Sequence, residues 1–433
     1  MATALSQIGR PEHRAERQQR IALVGFGTVG GAVARLLHDR RGHHPLRVTH
    51  ICNRNVARKK AGWVGREVVW TDDLQQVLAS DADVVVELIG GLEPAHQLVR
   101  GALQSGKSVV TANKQLIAKF GRELQELAEA HGQYLGFGAC VAGGIPVLSA
   151  LQDGLVGDRL VQVRGILNGT CNYILSRIER AGVSFPDALA EAQQSGFAEA
   201  DPTDDLDGHD AAAKLAILAR VGLKTDVATE QVTRRTIRDI AAIDFEYARE
   251  LGCTIRQIST AKLLDGKAYL AVEPSLVAMN SPLAGVSGSQ NLVVSTGEFG
   301  GETTFGGHGA GGYPTAVAVV SDLLQAAHYC GCAAGADRPA IAACEVESDQ
   351  EAPQYLRFVV RDRPGIIARI AGVLSRHHIN LDAVLQKPGH EKSALPFVIT
   401  LEPCRQSLVE SALQEIAKFD FLADAPLRMP IVQ

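Results

Sequence analysis

No apolar run of about eighteen residues occurs anywhere in this 433-residue chain, so no membrane-spanning helix is expected. Positive charge is not in excess either. Lys and Arg number 43 against 48 Asp and Glu, and the net charge of -5 offers no field for a nucleic acid backbone. The first twenty residues lack the apolar segment of a secretory signal. Arg10, Arg14, Arg17 and Arg20 give them a slight transit-peptide look, which Glu12 and Glu16 oppose. We read 1–19 as a disordered tail. Cysteines number only eight, and the one close pair, Cys330 and Cys332, lacks zinc-ligand spacing. All eight read as reduced thiols of a cytoplasmic protein. Internal repeats and low-complexity tracts are missing as well.

What is present is ordinary globular material: 46% apolar and 21% charged residues, with chain enough for two or three domains. Short β-branched runs at 21–24, 47–53, 81–90 and 107–114 alternate with helical stretches such as 92–105. That alternation predicts a parallel, doubly wound sheet. From about residue 139 the pattern shifts to longer helices (near 173–181, 186–194 and 209–221) mixed with strands, an α+β arrangement. Residues 331–353 read as a linker. The remainder, 354–433, has the order βαββαβ of a ferredoxin-like unit, with Pro364 near the first helical position of its first helix.

Two segments carry chemistry. Gly25-Phe26-Gly27-Thr28-Val29-Gly30 follows a strand and opens a helix. In that setting Gly25 makes the tight turn, Gly27 lets a pyrophosphate approach backbone, and Gly30 lets helix and strand pack closely. Where the second strand ends, at Cys52-Asn53-Arg54, no Asp or Glu stands ready for a ribose 2′-hydroxyl. Arg54, Arg58, Lys59 and Lys60 instead suit a 2′-phosphate, so NADP(H) is favoured over NAD(H). The bland alternative is a solvated cationic surface.

The second segment, 192–214, crowds Glu199, Asp201, Asp204, Asp205, Asp207 and Asp210 into a Gly/Pro-punctuated loop, followed by Lys214. Unpaired like charges so dense are costly in a fold. One reading is an acidic loop capping a helix, with Asp205 or Asp207 near the N-cap. The other is a site for a small amino acid, in which Lys214 handles a proton. Asp210 and Lys214 are i and i+4, so they share a helix face.

The order of these residues, A-x3-G-F-x-x-x-D-P-x-x-D-L-x-G-x-D-x3-K, resembles the signature of homoserine dehydrogenases. So do VGFGTVG, TANK (111–114), VAGGIP (141–146), GILNGTCNYIL (165–175) and GAGGYPTA (309–316). The last eighty residues are similar to an ACT domain, with DRPG at 362–365 and Asn380 where such domains hold an amino acid. The resemblance implies a Rossmann-type domain at 20–138, with a helix at 314–330 returning to it. It further implies a substrate and dimerisation domain at 139–313 and an ACT regulatory domain at 354–433. The implied reaction is the reversible reduction of L-aspartate 4-semialdehyde to L-homoserine by NAD(P)H.

Residue roles follow by resemblance. Lys214 matches the proton donor and Lys114 a second lysine near nicotinamide and substrate. Glu199 and Asp210 match substrate-binding carboxylates, and Asp205 a supporting one. Gly196 and Gly311 match cofactor contacts. Asp362, Gly365 and Asn380 match effector positions, and L-threonine is the implied effector. Pairing of ACT units implies a homodimer or homotetramer. One departure concerns sodium. Gly138 stands where the family usually has a Glu ligand, leaving only backbone at Val141, Gly143 and Ile145, so Na⁺ binding is expected to be weak or absent. A hydride transfer needs no nucleophile. An acyl-phosphate-forming enzyme would need a reactive cysteine, and neither Cys140 nor Cys171 is expected to be one. The alternative from another class is a non-catalytic amino-acid sensor that keeps the fold.

Overall fold

The computed structural model describes residues 18–329 and 341–432. The expected tail, part of the expected linker, and Cys330 and Cys332 lie outside the described residues. Among the described residues no helix is long and apolar enough to cross a membrane. The chain divides into two units.

The first unit runs through Asn113 and adds Glu123–Phe137 and a stretch from Ala316. In chain order the elements that build it are β1 Gln19–Val24, α1 Thr28–Asp39, β2 Leu46–Cys52, α2 Val56–Lys59, β3 Val69–Thr71, α3 Leu74–Ala79, β4 Val84–Glu87, α4 Ala95–Gln104, β5 Ser108–Thr111, α5 Lys114–Ala130 and β6 Leu135–Gly136. The strands pair in parallel in the order β3-β2-β1-β4-β5-β6. Such a sheet is covered on both faces, so its strands read as unbroken apolar runs. Val84, Val85 and Val86 are accordingly buried without alternation. Strand order reverses between β1 and β4, the place where open α/β sheets bind ligands. The helix expected at 92–105 starts only at Ala95, behind Pro94 at its N-cap, since proline's fixed φ and missing N–H suit a helix start.

The second unit takes Lys114–Arg122 from the head of α5 and continues from Gly138. Its elements are α6 Val147–Ser149, β7 Leu160–Ile166, α7 Gly169–Ala181, α8 Phe185–Gln194, α9 Thr203–Leu206, α10 His209–Gly222, β8 Thr225–Asp226, β9 Thr233–Arg234, α11 Ala242–Glu250, β10 Cys253–Leu264, β11 Lys267–Ala278, β12 Gln290–Gly297, β13 Gly301–His308, α12 Gly312–His328, β14 Ala342–Ala343, β15 Glu351–Val360, α13 Ile366–Arg376, β16 Leu381–Leu385, β17 Leu395–Arg405, α14 Gln406–Ile416 and β18 Leu427–Val432. From Ala316 onward α12 belongs to the first unit. There Gln325 accepts from the Tyr134 hydroxyl at 2.7 Å.

The βαββαβ unit is present as β15-α13-β16-β17-α14-β18, but it does not stand apart. Its last strand pairs in parallel with β11 through Leu276↔Ile431 and Val277↔Val432. One sheet thus runs β13-β12-β7-β10-β11-β18-β15-β17-β16. Tyr355, Val398 and Met429 share a core with Ile174, Phe245, Tyr247 and Leu276. Buried Arg428 donates to Glu273 on β11 at 2.9 Å, and Arg357 pairs with buried Asp244 at the head of α11. The described part of the expected linker is pinned too, because β14 pairs with β8 and Val346 bridges to Ala268.

Candidate active site

The cofactor cradle lies in the first unit, where β1 turns into α1. Gly25 has φ 102° and donates its N–H to the Cys52 carbonyl at 2.9 Å. A Cβ there would sit 2.6 Å from the Leu88 carbonyl oxygen, and one on Gly30 only 2.0 Å from that of Gly25. Both positions are closed by the protein itself. Gly27, the N-cap of α1, differs: a Cβ on it would meet nothing within 4 Å. The space over Gly27 is therefore open to a ligand, and the α1 N-terminus favours phosphate there. Thr28 is exposed beside it and Val29 half-buried. Phe26 is buried edge-on against Trp70, with ring centroids 5.0 Å apart.

Two features of this cradle escaped sequence reasoning. Asn53, at the end of β2, accepts from the Phe26 N–H at 3.2 Å. It therefore braces the glycine turn from the position where an NAD-binding site carries an acidic residue. Fully buried Glu87 accepts from the Ile89 and Gly90 N–H groups at 2.9 and 3.1 Å, and from the Thr111 hydroxyl at 2.6 Å. Asn113 adds a 2.6 Å bond to the Gly91 carbonyl. These bonds shape the loop after β4, next to the switch point. A buried acid closing a run of valines was the available signal. Arg54 and Arg58 are exposed beyond β2, and neither makes an ion pair among the described residues.

The second cluster is built on α10. This helix is apolar almost all round, and residues 211–222 are buried except Lys214. A helix of that kind must be interior, and its few charges must be paired there. They are. Asp210 binds Lys114 at 2.6 Å through one oxygen and Lys214 at 2.7 Å through the other. Its side chain is only 9% exposed, against 14% for Lys214 and 38% for Lys114. Arg220, two turns on, donates to Asp226 at 2.7 Å and to the Ile117 and Ala118 carbonyls at 2.6 and 2.9 Å. Those carbonyls belong to the first turns of α5, so Arg220 fixes the helix that starts with Lys114. An arginine amid LAILARVG was its sequence signal.

Electrostatics follow from this geometry. Burial opposes the charge of Asp210, but Lys214 and Lys114 outweigh it and hold the carboxyl well below its ordinary range. Burial likewise opposes the Lys114 charge, yet Asp210, aided by Asp205 and Asp204, raises its value above the usual one. Lys214 also donates to the Leu167 carbonyl at 2.8 Å. An ammonium has three donors. Two are committed to protein, leaving one for an incoming oxygen.

The other expected residues fall as follows. Asp205 is half-buried in α9, and Glu199 is exposed in the preceding turn. Gly196 (φ 74°) ends α8, and Gly311 (φ 118°) precedes α12. Neither Asp205 nor Asp207 is an N-cap: Gly208, at φ 79°, caps α10. Only a residue at ease with positive φ fits between α9 and α10. Val141, Gly143 and Ile145 are buried in a turn where the Ile145 N–H donates to the Ala142 carbonyl at 2.8 Å. Gly138 brings that turn no side chain. Among the described residues no group of three or more His, Cys, Asp or Glu could hold a metal ion.

Cys171, the thiol nearest the cluster, is held in its unreactive form. The six described cysteines are free. Burial first, then Asp205 and Asp210, push the Cys171 thiol well above its usual value, and it bonds the Asp205 carbonyl at 3.1 Å. At the ACT-like end, Asp362 and Gly365 lie at the exposed head of α13, and Asn380 donates to Glu402 at 3.0 Å. Pro364 lies outside α13, not at its first position, because Gly365 at φ 92° is the N-cap.

Comparison with known proteins gives matches over nearly the whole chain. The family model described as "Homoserine dehydrogenase" matches residues 146–324, that described as "Homoserine dehydrogenase, NAD binding domain" matches 25–137, and that of the ACT domain matches 354–421. A homoserine dehydrogenase from Synechocystis is 38% identical over 430 residues, covering 94% of this chain and 98% of the relative. The crystal structure of a homoserine dehydrogenase from Thiobacillus denitrificans superposes with a TM-score of 0.89 at 34% identity, covering 96% and 98% of the two chains. A hyperthermophilic archaeal homoserine dehydrogenase in complex with NADPH gives a TM-score of 0.61 at 27% identity over 75% of this chain and 99% of that one.

Proposed function

The chain belongs to the homoserine dehydrogenase family, and we propose that it reduces L-aspartate 4-semialdehyde reversibly to L-homoserine. The observation that carries this reading is the Asp210 carboxylate bridging the Lys114 and Lys214 ammonium groups. Reducing an aldehyde develops negative charge on its oxygen, and a positioned ammonium both stabilises that charge and supplies the proton. Lys214 holds that proton on Nζ. Asp210 keeps Lys214 charged and aimed, while Lys114 adds a second positive charge. Glu199 and Asp205 are assigned to the substrate's own ammonium group.

The glycine turn at Gly25–Gly30 fits a dinucleotide, since only Gly27 leaves open space where a Cβ would stand. Gly196 and Gly311 are assigned to the same cofactor. When bound, a reduced nicotinamide supplies the hydride. Arg54 and Arg58 support a preference for NADP(H), and an archaeal relative's complex with NADPH agrees with it. Sodium is assigned no role, because Gly138 removes the charged ligand. Exchanging Na⁺ for K⁺ should leave rate and melting temperature unchanged.

The deciding assay is oxidation of NADPH on adding L-aspartate 4-semialdehyde, with and without Lys214→Ala. A folded wild-type protein without turnover would refute the reading in favour of an amino-acid sensor. The intact lysine–aspartate cluster speaks against that alternative. We assign L-threonine as an inhibitor held at Asp362, Gly365 and Asn380, between ACT units paired in a homodimer or homotetramer. Because β18 pairs with β11, truncation before residue 354 would strip a shared core, so Asn380→Ala is the cleaner test. Identical threonine titrations for variant and wild type would remove the idea. The six described cysteines are free, which supports a reducing cytoplasm.

A further inference from the structure

Asn168 ends the turn between β7 and α7 and is 3% exposed. As N-cap of α7, its side-chain oxygen accepts from the Cys171 N–H at 2.8 Å. That bond fixes which way the amide faces. Its nitrogen then donates to two carboxylates, Asp205 at 2.6 Å and Asp210 at 3.0 Å. Asp210 has its two lysines. Asp205 makes no ion pair among the described residues, so the Asn168 amide is what ties it to the cluster. An amide alone can cap a helix through oxygen while donating two hydrogens through nitrogen. A carboxylate keeps the cap and loses the donors. A hydroxyl keeps a cap and is too short to reach.

Resting on the dehydrogenase reading, we propose that Asn168 is a positioning residue for the reaction: it holds Asp205 and Asp210 in fixed register, so that Asp210 presents Lys214 to the substrate. The charged groups on its amide are Asp205 from α9 and Asp210 from α10; behind them, Lys214 from α10 and Lys114 from α5 pair with Asp210, and Asp205 and Asp204 act on Lys114. The Cys171 thiol lies on its own helix.

The test compares Asn168→Asp and Asn168→Ser with wild type, by kcat and KM and by thermal unfolding, from pH 6 to pH 9. N168D keeps shape and cap but faces two carboxylates with a third. Like charge raises the affinity of the introduced carboxyl for a proton. Above that raised value the variant lacks a donor. Below it, the protonated carboxyl donates again. We expect kcat/KM at pH 8 to fall roughly ten- to hundred-fold, the scale of one lost bond to a charged group. Relative to wild type at the same pH, the deficit should shrink on acidification. The melting-temperature gap should narrow in the same direction. N168S should lose activity to a similar extent at every pH, with no recovery in acid. A cap without further role predicts wild-type kinetics for N168D, and that result would overturn the proposal, as would a deficit indifferent to pH. If wild type itself does not turn over, the dehydrogenase reading fails separately. The unfolding comparison then still decides whether Asn168 holds the carboxylates, and a gap that acid does not narrow rejects it.

Discussion

The glycine turn of the first unit and the lysine–aspartate cluster of the second solve opposite problems. The turn receives charge and is made of backbone: an open space over Gly27, a helix N-terminus, and glycines forced by neighbours no farther away than Leu88. The cluster supplies charge and is made of side chains from α5, α7, α9 and α10, held apart and together by an amide and a buried arginine. The glycine turn tolerates little change in shape, and its own residues carry no ionisable group to lose. A charged cluster tolerates changes in shape better than changes in charge, since each buried charge depends on its partner.

That contrast breaks most sharply at Lys214. Lys214→Ala should lower kcat by about 10²- to 10⁴-fold, the usual contribution of a positioned acid. Dinucleotide affinity, measured by fluorescence titration, should stay as in wild type. A comparable loss of affinity would mean that the lysine serves the cofactor instead.

Asp210→Asn comes next. It leaves two ammonium groups without their carboxylate and should cost about 3–5 kcal/mol in denaturant unfolding, the range for breaking a buried pair. The pH dependence has a definite sign. Asp210 is held below its ordinary range, so its contribution is complete above the unfolded value of about 3.9. It is lost only as pH falls through the lower folded value. The stability gap between variant and wild type should be flat from neutral pH to about pH 4 and close in stronger acid. A gap already closing at pH 6 would contradict the ion pair.

Within the cradle, two alanine variants should separate shape from function. Gly30→Ala drives a methyl against the Gly25 carbonyl, where 2.0 Å is available, and should lower the melting temperature visibly. Gly27→Ala has room and should leave melting unchanged while weakening dinucleotide binding. Equal melting losses in both would end the assignment of Gly27 to the ligand. The smallest effect is expected at the exposed cations. Arg54→Ala with Arg58→Ala should shift the NADPH over NADH preference by about ten-fold, the value of one charge-assisted bond.

Local rules account for what could be read in advance. The strand–turn–helix at 21–39 is specified by β-branched residues and by glycines, of which Gly25 and Gly30 answer close contacts with Leu88 and Gly25 while Gly27 leaves its space open. The spacing of Asp210 and Lys214 placed them on one face, and they are bonded at 2.7 Å. Boundaries were read less well. Gly208 and Gly365 cap helices that the acidic residues and Pro364 had seemed to begin, because positive φ at a cap outweighs side-chain preference there. Asn168 sits inside GILNGTCNYIL with no role assigned by resemblance, and Arg220 and Glu87 belong to no quoted motif. Each is an ordinary polar residue with at least one partner far along the chain: Asp205 and Asp210 for Asn168, Ile117 and Ala118 for Arg220, and Thr111 for Glu87. The union of the ACT-like sheet with its neighbour was equally silent, since β11 and β18 are joined by two backbone pairings that any sequence could make.

By itself, then, the order of residues determined the kinds of element, the dinucleotide turn, and a lysine one helical turn from an aspartate. Those depend on interactions a few residues long. Tertiary structure alone decided that Lys114 shares that aspartate, that Asn168 bridges it to Asp205, and that Arg220 secures the helix carrying Lys114. Charge acts over ångströms of space rather than along the chain, and only packing sets those distances.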